Sequence, residues 1–452
     1  MHRRSLLSSG IGMAATVAAL SVAVGAEAPS QPAPAAPGGE GPDPAARLLF
    51  RDDAQFWFET LRMFGAADYG GAQFGEVVAT SKRIKAGDYD SWFTSWKDTA
   101  DRVAASGEEQ LKRGHRVSAR DSLLRASNYY RCSEFFLHGQ PKDPRISEAY
   151  RRTVDCYKAA CKLFEPPIEP VEIPYGQHTL PGYFHHGGSA ATRRPTILMH
   201  TGFDGSAEEM HFMGARAAAE RGYNVLSFDG PGQFGPVHRD GLTFRPDWEK
   251  VVTPVVDFAA ARRDVDPRRI VLMGISLGGE LAPRAAAFEH RLAACIANDG
   301  VYDYGALALA AAPADQRVAF AQKLRAAEAP EIDKLLAGQM KTNPTMRWAF
   351  THGMYASGMA SPRAYIASTL DYNLRDGVAE AIRCPTLVCE AEGDMFFKGQ
   401  PQMLFDHLTC KKTLMRFTEA EGAGDHCESG AWRLACARMY DWLDETLGAS
   451  RA

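Results

Sequence analysis

The chain has no surplus of basic charge. Its 51 Lys and Arg stand against 55 Asp and Glu, a net charge of −4 over 452 residues. With no positive field to hold a phosphate backbone, a dedicated nucleic-acid binder is excluded. There is also no Cys-x-x-Cys pair, so neither a zinc ribbon nor a thioredoxin-like redox site is expected. No internal repeat of solenoid period is found. Only one stretch is apolar for long enough to suggest a membrane, and it lies at the extreme N-terminus. What remains is globular in composition, 45% apolar and 23% charged, enough for a sizeable core.

The N-terminal stretch opens with Arg3-Arg4, followed by Leu6-Leu7, and runs uncharged from Ser5 to Ala26. A positive start before an apolar run reads as a secretory leader, and adjacent arginines give it twin-arginine character. Small residues at Val24-Gly25-Ala26 and Ala26-Glu27-Ala28 offer cleavage points. The expectation is an export signal over 1–28, a Pro/Ala/Gly-rich linker over 29–46, and a periplasmic or secreted protein with no stable membrane contact once the signal is removed. An uncleaved anchor is the alternative. Nine scattered cysteines would be awkward in an exported chain, because an odd number cannot all pair. A route that exports folded protein removes the difficulty, since thiols buried beforehand stay reduced.

From 47 to 165 apolar and aromatic residues recur at helical spacing, predicting four to six helices. The character changes at Glu165-Pro166-Pro167. Strands are expected at Val171–Pro174, Thr179–Phe184, Thr196–Met199, Asn224–Phe228, Ile270–Met273, Ala294–Ala297, Thr386–Cys389 and Lys412–Phe417. Helices are expected at Met210–Glu220, Val251–Arg263, Leu281–Phe288 and Ala431–Leu447. Such alternation implies an α/β domain over 166–452 with a mostly parallel sheet. It lapses over 304–382, where Ala311–Leu336 and Trp348–Leu374 read as helices of a lid above the carboxyl ends of the strands.

The sharpest chemical signal is Gly274-Ile275-Ser276-Leu277-Gly278, directly after a predicted strand and opening a predicted helix. In that context the pattern is a nucleophile elbow. Ser276 must adopt a strained backbone to expose its hydroxyl, and a side chain at 274 or 278 would collide with the bend. A serine needs a base, and in this fold the order is Ser, then acid, then His. Asp394 follows the strand at 386–389, with Glu392 and Glu390 as rivals. His426 lies in the small-residue loop Glu421–His426; Asp425 is too close to it to be favoured. Leu198–Gly205 suits an oxyanion loop, and the expected donors are the N–H groups of Phe203 and Leu277. Asp204, Tyr302 and Asp303, at strand ends, are candidates for contacting substrate. The segment Phe228-Asp229-Gly230-Pro231-Gly232-Gln233 is a strand-end turn, and its expected role is to shape that turn. No metal or cofactor is expected; the partner is a small molecule, aromatic or apolar, and a homodimer is compatible with the composition.

These residues resemble the α/β-hydrolase superfamily. Asp90-Ser91-Trp92-Phe93, Ser118-Ala119-Arg120-Asp121 with Tyr129-Tyr130-Arg131, Phe228–Gln233, Arg291–Cys295 and Gly424-Asp425-His426-Cys427 resemble, more narrowly, the 2,6-dihydroxypseudooxynicotine hydrolase group. The resemblance implies an α/β-hydrolase fold with a helical N-terminal domain. It also implies a serine hydrolase that cleaves a carbon–carbon bond beside a ketone in an aromatic or β-dicarbonyl compound. Esterase-like members make a carboxylesterase or lactonase the alternative. A non-catalytic binding protein on the same fold is a third reading. The export leader and the segment Asn298–Asp303 depart from the group's pattern.

Overall fold

The computed structural model describes residues 47–189, 191–310 and 312–448. The expected export signal and linker lie outside them.

Aspartates start the first helices. Asp53 caps α1 (Ala54–Ala66) by accepting from the N–H of Phe56, and Asp143 caps α5 (Pro144–Cys161), where Pro144 fits the first helical turn. Between them run α2 (Phe74–Ser81), α3 (Tyr89–Lys112), capped by Asp88, and α4 (Arg116–Glu134). Five α-helices therefore fill the N-terminal region among the described residues. Their aromatics meet inside: Trp92, Trp96, Tyr129 and Tyr157 are fully buried, and the Trp92 indole N–H donates to the Cys132 carbonyl at 2.8 Å. Each large apolar side chain so buried contributes about 1.5–3 kcal/mol.

The remainder is built on eight strands: β1 (Glu169–Tyr175), β2 (His178–His185), β3 (Arg194–His200), β4 (Asn224–Phe228), β5 (Val265–Ile275), β6 (Leu292–Asn298), β7 (Thr386–Ala391) and β8 (Lys412–Phe417). Their order across the sheet is β1-β2-β4-β3-β5-β6-β7-β8. The β1–β2 hairpin pairs antiparallel and joins β4 antiparallel; every other pairing is parallel. In the register Leu198 faces Leu272 on one side and Met199 faces Met273 on the other. Period-two alternation thus feeds two cores. Leu198, Leu226 and Leu272 pack with Val252 and Val255 of one helix, while Met199, Val271 and Met273 pack with Trp432 and Met439 of another.

The helices of this part are α6 (Ala215–Glu220), α7 (Phe234–Asp240), α8 (Glu249–Ala260) and α9 (Gly278–Ala286). The lid contributes α10 (Tyr304–Leu309), α11 (Arg317–Arg325), α12 (Pro330–Thr342), α13 (Pro344–Ser357) and α14 (Pro362–Thr369), and α15 (Gln400–His407) and α16 (Trp432–Leu447) complete the set. Three expected helices are broken. Met210–Glu220 is interrupted at Gly214, whose φ of 141° is closed to other residues and whose missing Cβ would meet the Tyr440 hydroxyl at 2.5 Å. The lid's two long helices divide before Pro330 and at Gly358–Pro362, where proline and a left-handed glycine end the periodicity.

Candidate active site

The elbow has the strained form that the glycine spacing requires. Ser276 sits at φ 63° between β5 and α9. A Cβ on Gly274 would lie 2.0 Å from the Gly278 carbonyl oxygen, and one on Gly278 would lie 2.9 Å from that of Thr201. Ser276 Oγ is 2.9 Å from His426 Nε2. On the other side of the ring, Nδ1 is 3.0 Å from Asp394 Oδ2. Three elements 150 and 32 residues apart are thereby brought to one point. The Asp394 carboxylate is itself held at Oδ1 by the N–H groups of Phe396 and Phe397, at 2.7 and 3.2 Å.

A second acid, absent from the sequence-based assignment, reaches the same imidazole. Asp299, at the end of β6 with φ 55°, lies 2.8 Å from His426 Nδ1 and also accepts the N–H of Cys427. Burial pushes the Asp299 carboxyl up, and the charge on Asp394 pushes it further. Burial would also raise Asp394, but His426 and the backbone donors hold it below its ordinary value. The charged form is therefore favoured at Asp394 and disfavoured at Asp299. Burial opposes the charged form of His426, yet Asp394, Cys427 and Asp299 hold its pKa well above the ordinary range. The position after β6 was legible as a strand end, but nothing in the local sequence aims Asp299 at His426.

The loop expected to carry the oxyanion donor is organised from behind. Gln233 Nε2 donates to the carbonyls of Thr201 and Gly202 at 2.6 and 3.3 Å. In a trans peptide the C=O and the following N–H point opposite ways, so gripping the Gly202 carbonyl turns the Phe203 N–H away from Gln233. The Ser276 carbonyl accepts from the Gly279 N–H at 2.7 Å, which likewise turns the Leu277 N–H outward. Among the described residues neither N–H has a protein acceptor. Gly202 permits the close approach, since its Cβ would fall 2.4 Å from the Leu277 nitrogen. The turn Phe228–Gln233, expected only to shape the chain's own bend, thus also reaches the loop after β3 through Gln233.

Above Ser276 lies a pocket with three kinds of wall: Phe58 and Arg62 from α1, Phe203 and Asp204 from the oxyanion loop, and Tyr304, Trp348, Phe350 and Tyr365 from the lid. Its polar features are few. The Tyr304 and Tyr365 hydroxyls are 3.0 Å apart. Arg62 reaches Asp204 at 2.9 Å and clamps Glu209 through two bonds of 2.7 and 2.6 Å, with Arg131 3.1 Å from Glu209. Burial pushes the neighbouring Glu59 carboxyl up to about 8, against the pull of Arg62. Asp204 is therefore in the pocket as expected from its strand end. Tyr302 and Asp303 are not: Tyr302 stacks on His407 at 4.2 Å, while Asp303 caps α10 and pairs with Arg375 at 3.4 Å. Neither side chain lines the pocket, because each is engaged by these other partners. Tyr304 and Tyr365, one in each half of the lid, were not distinguishable from core aromatics in the sequence.

The arrangement can attack a carbonyl: a hydroxyl nucleophile, a base oriented by an acid, and two N–H groups for an oxyanion. Comparison with known proteins agrees. Residues 180–432 match the model of the alpha/beta hydrolase family. The chain is 35% identical over 418 residues to "Hydrolase LUC6" of Fusarium sp, covering 88% of this chain and 97% of that relative. It is 34% identical to "20-hydroxy-prefusarin hydrolase FUS2" of Gibberella moniliformis, with the same coverage. The crystal structure of the 2,6-dihydroxy-pseudo-oxynicotine hydrolase superposes with a TM-score of 0.65 at 23% identity, over 86% of this chain and 96% of that one. These likenesses set aside the non-catalytic alternative. The chain belongs to the α/β-hydrolase family and is a hydrolytic enzyme.

Proposed function

We propose that Ser276, His426 and Asp394 act as nucleophile, base and orienting acid, and that the bond cleaved is a carbon–carbon bond beside a ketone in an aromatic or β-dicarbonyl substrate. His426 Nε2 takes the Ser276 proton as Oγ adds to the carbonyl carbon. The oxyanion rests on the N–H groups of Phe203 and Leu277. Collapse breaks the C–C bond, its electron pair leaves on carbon, and that carbon is protonated from the imidazolium. Water, deprotonated by His426, then releases the carboxylic acid and frees Ser276.

The observation that carries the choice of bond is the double cover. Phe58 of α1 and the aromatic side chains of the lid line the same pocket over Ser276. A carbanion-like leaving group gains more from excluded water than an alkoxide does, because His426 alone assists an alkoxide. Turnover of aryl ketones, β-diketones and aryl esters in heavy water tests this. Carbon-bound deuterium in the leaving fragment is expected. Rapid hydrolysis of aryl esters with no ketone turned over would make the enzyme a carboxylesterase or lactonase using the same residues.

A further inference from the structure

Away from Ser276, three side chains from two parts of the fold aim their polar atoms at one buried point. Glu134 ends α4, His138 follows one turn later, and His238 comes from α7. Their side chains are 3%, 4% and 3% exposed. Glu134 Oε2 is 2.8 Å from His138 Nε2 and 3.8 Å from His238 Nε2, and all three atoms lie within 4.8 Å of one another. Beyond one another, none of the three atoms has a hydrogen-bond partner among the described residues.

The bonds on the far sides of the rings determine what faces the centre. His238 Nδ1 donates to the Phe234 carbonyl at 2.6 Å, so in the neutral ring Nε2 carries a lone pair. His352 Nε2 donates to the Phe203 carbonyl at 2.8 Å, which leaves its Nδ1 as acceptor. His138 Nδ1, 2.9 Å away, donates to it, and His138 Nε2 is then also bare. Two imidazole lone pairs and a carboxylate oxygen converge with nothing of protein origin between them. Stacking on Tyr355 at 4.6 Å and on Tyr150 at 5.1 Å fixes both ring planes. A single proton would join one pair and leave His238 Nε2 unsatisfied; a cation joins all three. Tetrahedral zinc with bonds near 2.05 Å sets its ligand atoms about 3.3 Å apart. The separations of 2.8 and 3.8 Å lie either side of that value.

We propose that Glu134, His138 and His238 form a buried Zn²⁺ site, completed by the second Glu134 oxygen or a water. Two imidazoles and one carboxylate suit zinc, whereas Ca²⁺ and Mg²⁺ demand oxygen. The rings already donate outward to a carbonyl and to a histidine, as metal-bound imidazoles do. The ion fastens α4 to α7. Through His138 and His352 it also reaches α13 of the lid and the carbonyl of Phe203, so it is a structural clip on the oxyanion loop.

The test is metal analysis of the full chain after growth with added zinc, with His238→Gln and Glu134→Gln beside it. About one zinc per wild-type chain is expected, falling at least tenfold in both variants. Adding Zn²⁺ to chelator-stripped protein should raise the melting temperature of the wild type and not of the variants. Cobalt substitution of the wild type gives a readout that needs no variant to fold: d–d bands without a thiolate charge-transfer band are expected. Metal-free wild type with no melting response to Zn²⁺ would overturn the proposal, leaving an imidazolium–carboxylate pair at the cluster. Zinc retained by folded variants, or a cobalt–thiolate band, would place the metal elsewhere and overturn it equally.

Discussion

At the scale of single residues, the decisive arrangement is His426 between two acids. One N–H at Nδ1 faces Asp394 at 3.0 Å and Asp299 at 2.8 Å. Distance alone favours Asp299, yet charge favours Asp394, because His426 and the phenylalanine N–H groups hold its carboxyl below the ordinary range while burial and the charge on Asp394 push Asp299 up. An amide cannot supply a carboxylate's charge, so the acid whose charged form is favoured loses most by the exchange. Asp394→Asn should therefore lower kcat on the order of 10³–10⁴-fold, while Asp299→Asn should cost much less. The pH profile carries the same assignment. A base must be neutral, so kcat/KM should rise with pH through a His426 ionisation above the ordinary histidine range. Asp394→Asn should move that ionisation down. If Asp299→Asn proved the more damaging and shifted the profile instead, the ionised acid would be the one after β6.

Among elements, the two turns that carry the proposed oxyanion donors depend on the absence of side chains. The loop after β3 and the elbow after β5 meet where a Gly202 Cβ would fall 2.4 Å from the Leu277 nitrogen and 2.7 Å from the Ile275 carbonyl oxygen. Gly202→Ala must push them apart, misplacing one or both N–H donors. Loss of one such donor costs about 10²–10³ in kcat, and KM should change little because the donors act on the developing oxyanion. The global penalty of overpacking is about 1–3 kcal/mol, readable by denaturant titration. A variant with native kcat would remove this pair of N–H groups from the chemistry. The elements themselves were largely legible. Asn224–Phe228 and Lys412–Phe417 coincide with their expected bounds, because each is a short β-prone run ended by turn residues. The failures were helices crossed by glycine or proline, where the apolar period continues although the backbone cannot.

For the whole molecule, legibility stops where sequence-distant side chains meet. The elbow and His426 are readable because motif and chain order carry them. Asp299, Arg62, Tyr304, Tyr365 and the Glu134 cluster are not, since each acquires its meaning from a partner dozens to hundreds of residues away. The cysteines, by contrast, make sense only when the folded chain is considered entire. All nine are free, eight are buried, and Cys410 alone is partly exposed. Burial pushes the thiols of Cys156, Cys384 and Cys436 up to about 12, which keeps them from the reactive thiolate form. A chain that met an oxidising compartment unfolded would expose nine thiols to random pairing; one delivered folded would expose a single thiol. Export through the Arg3-Arg4 leader is a proposal that this difference tests. Protein recovered from the periplasm without reductant should take up about one equivalent of a thiol reagent when native and nine when denatured. Arg3→Lys with Arg4→Lys should leave the same protein in the cytoplasm with the same two values. Fewer than nine thiols after denaturation would mean that disulfides formed in transit, and the folded-export reading would fail.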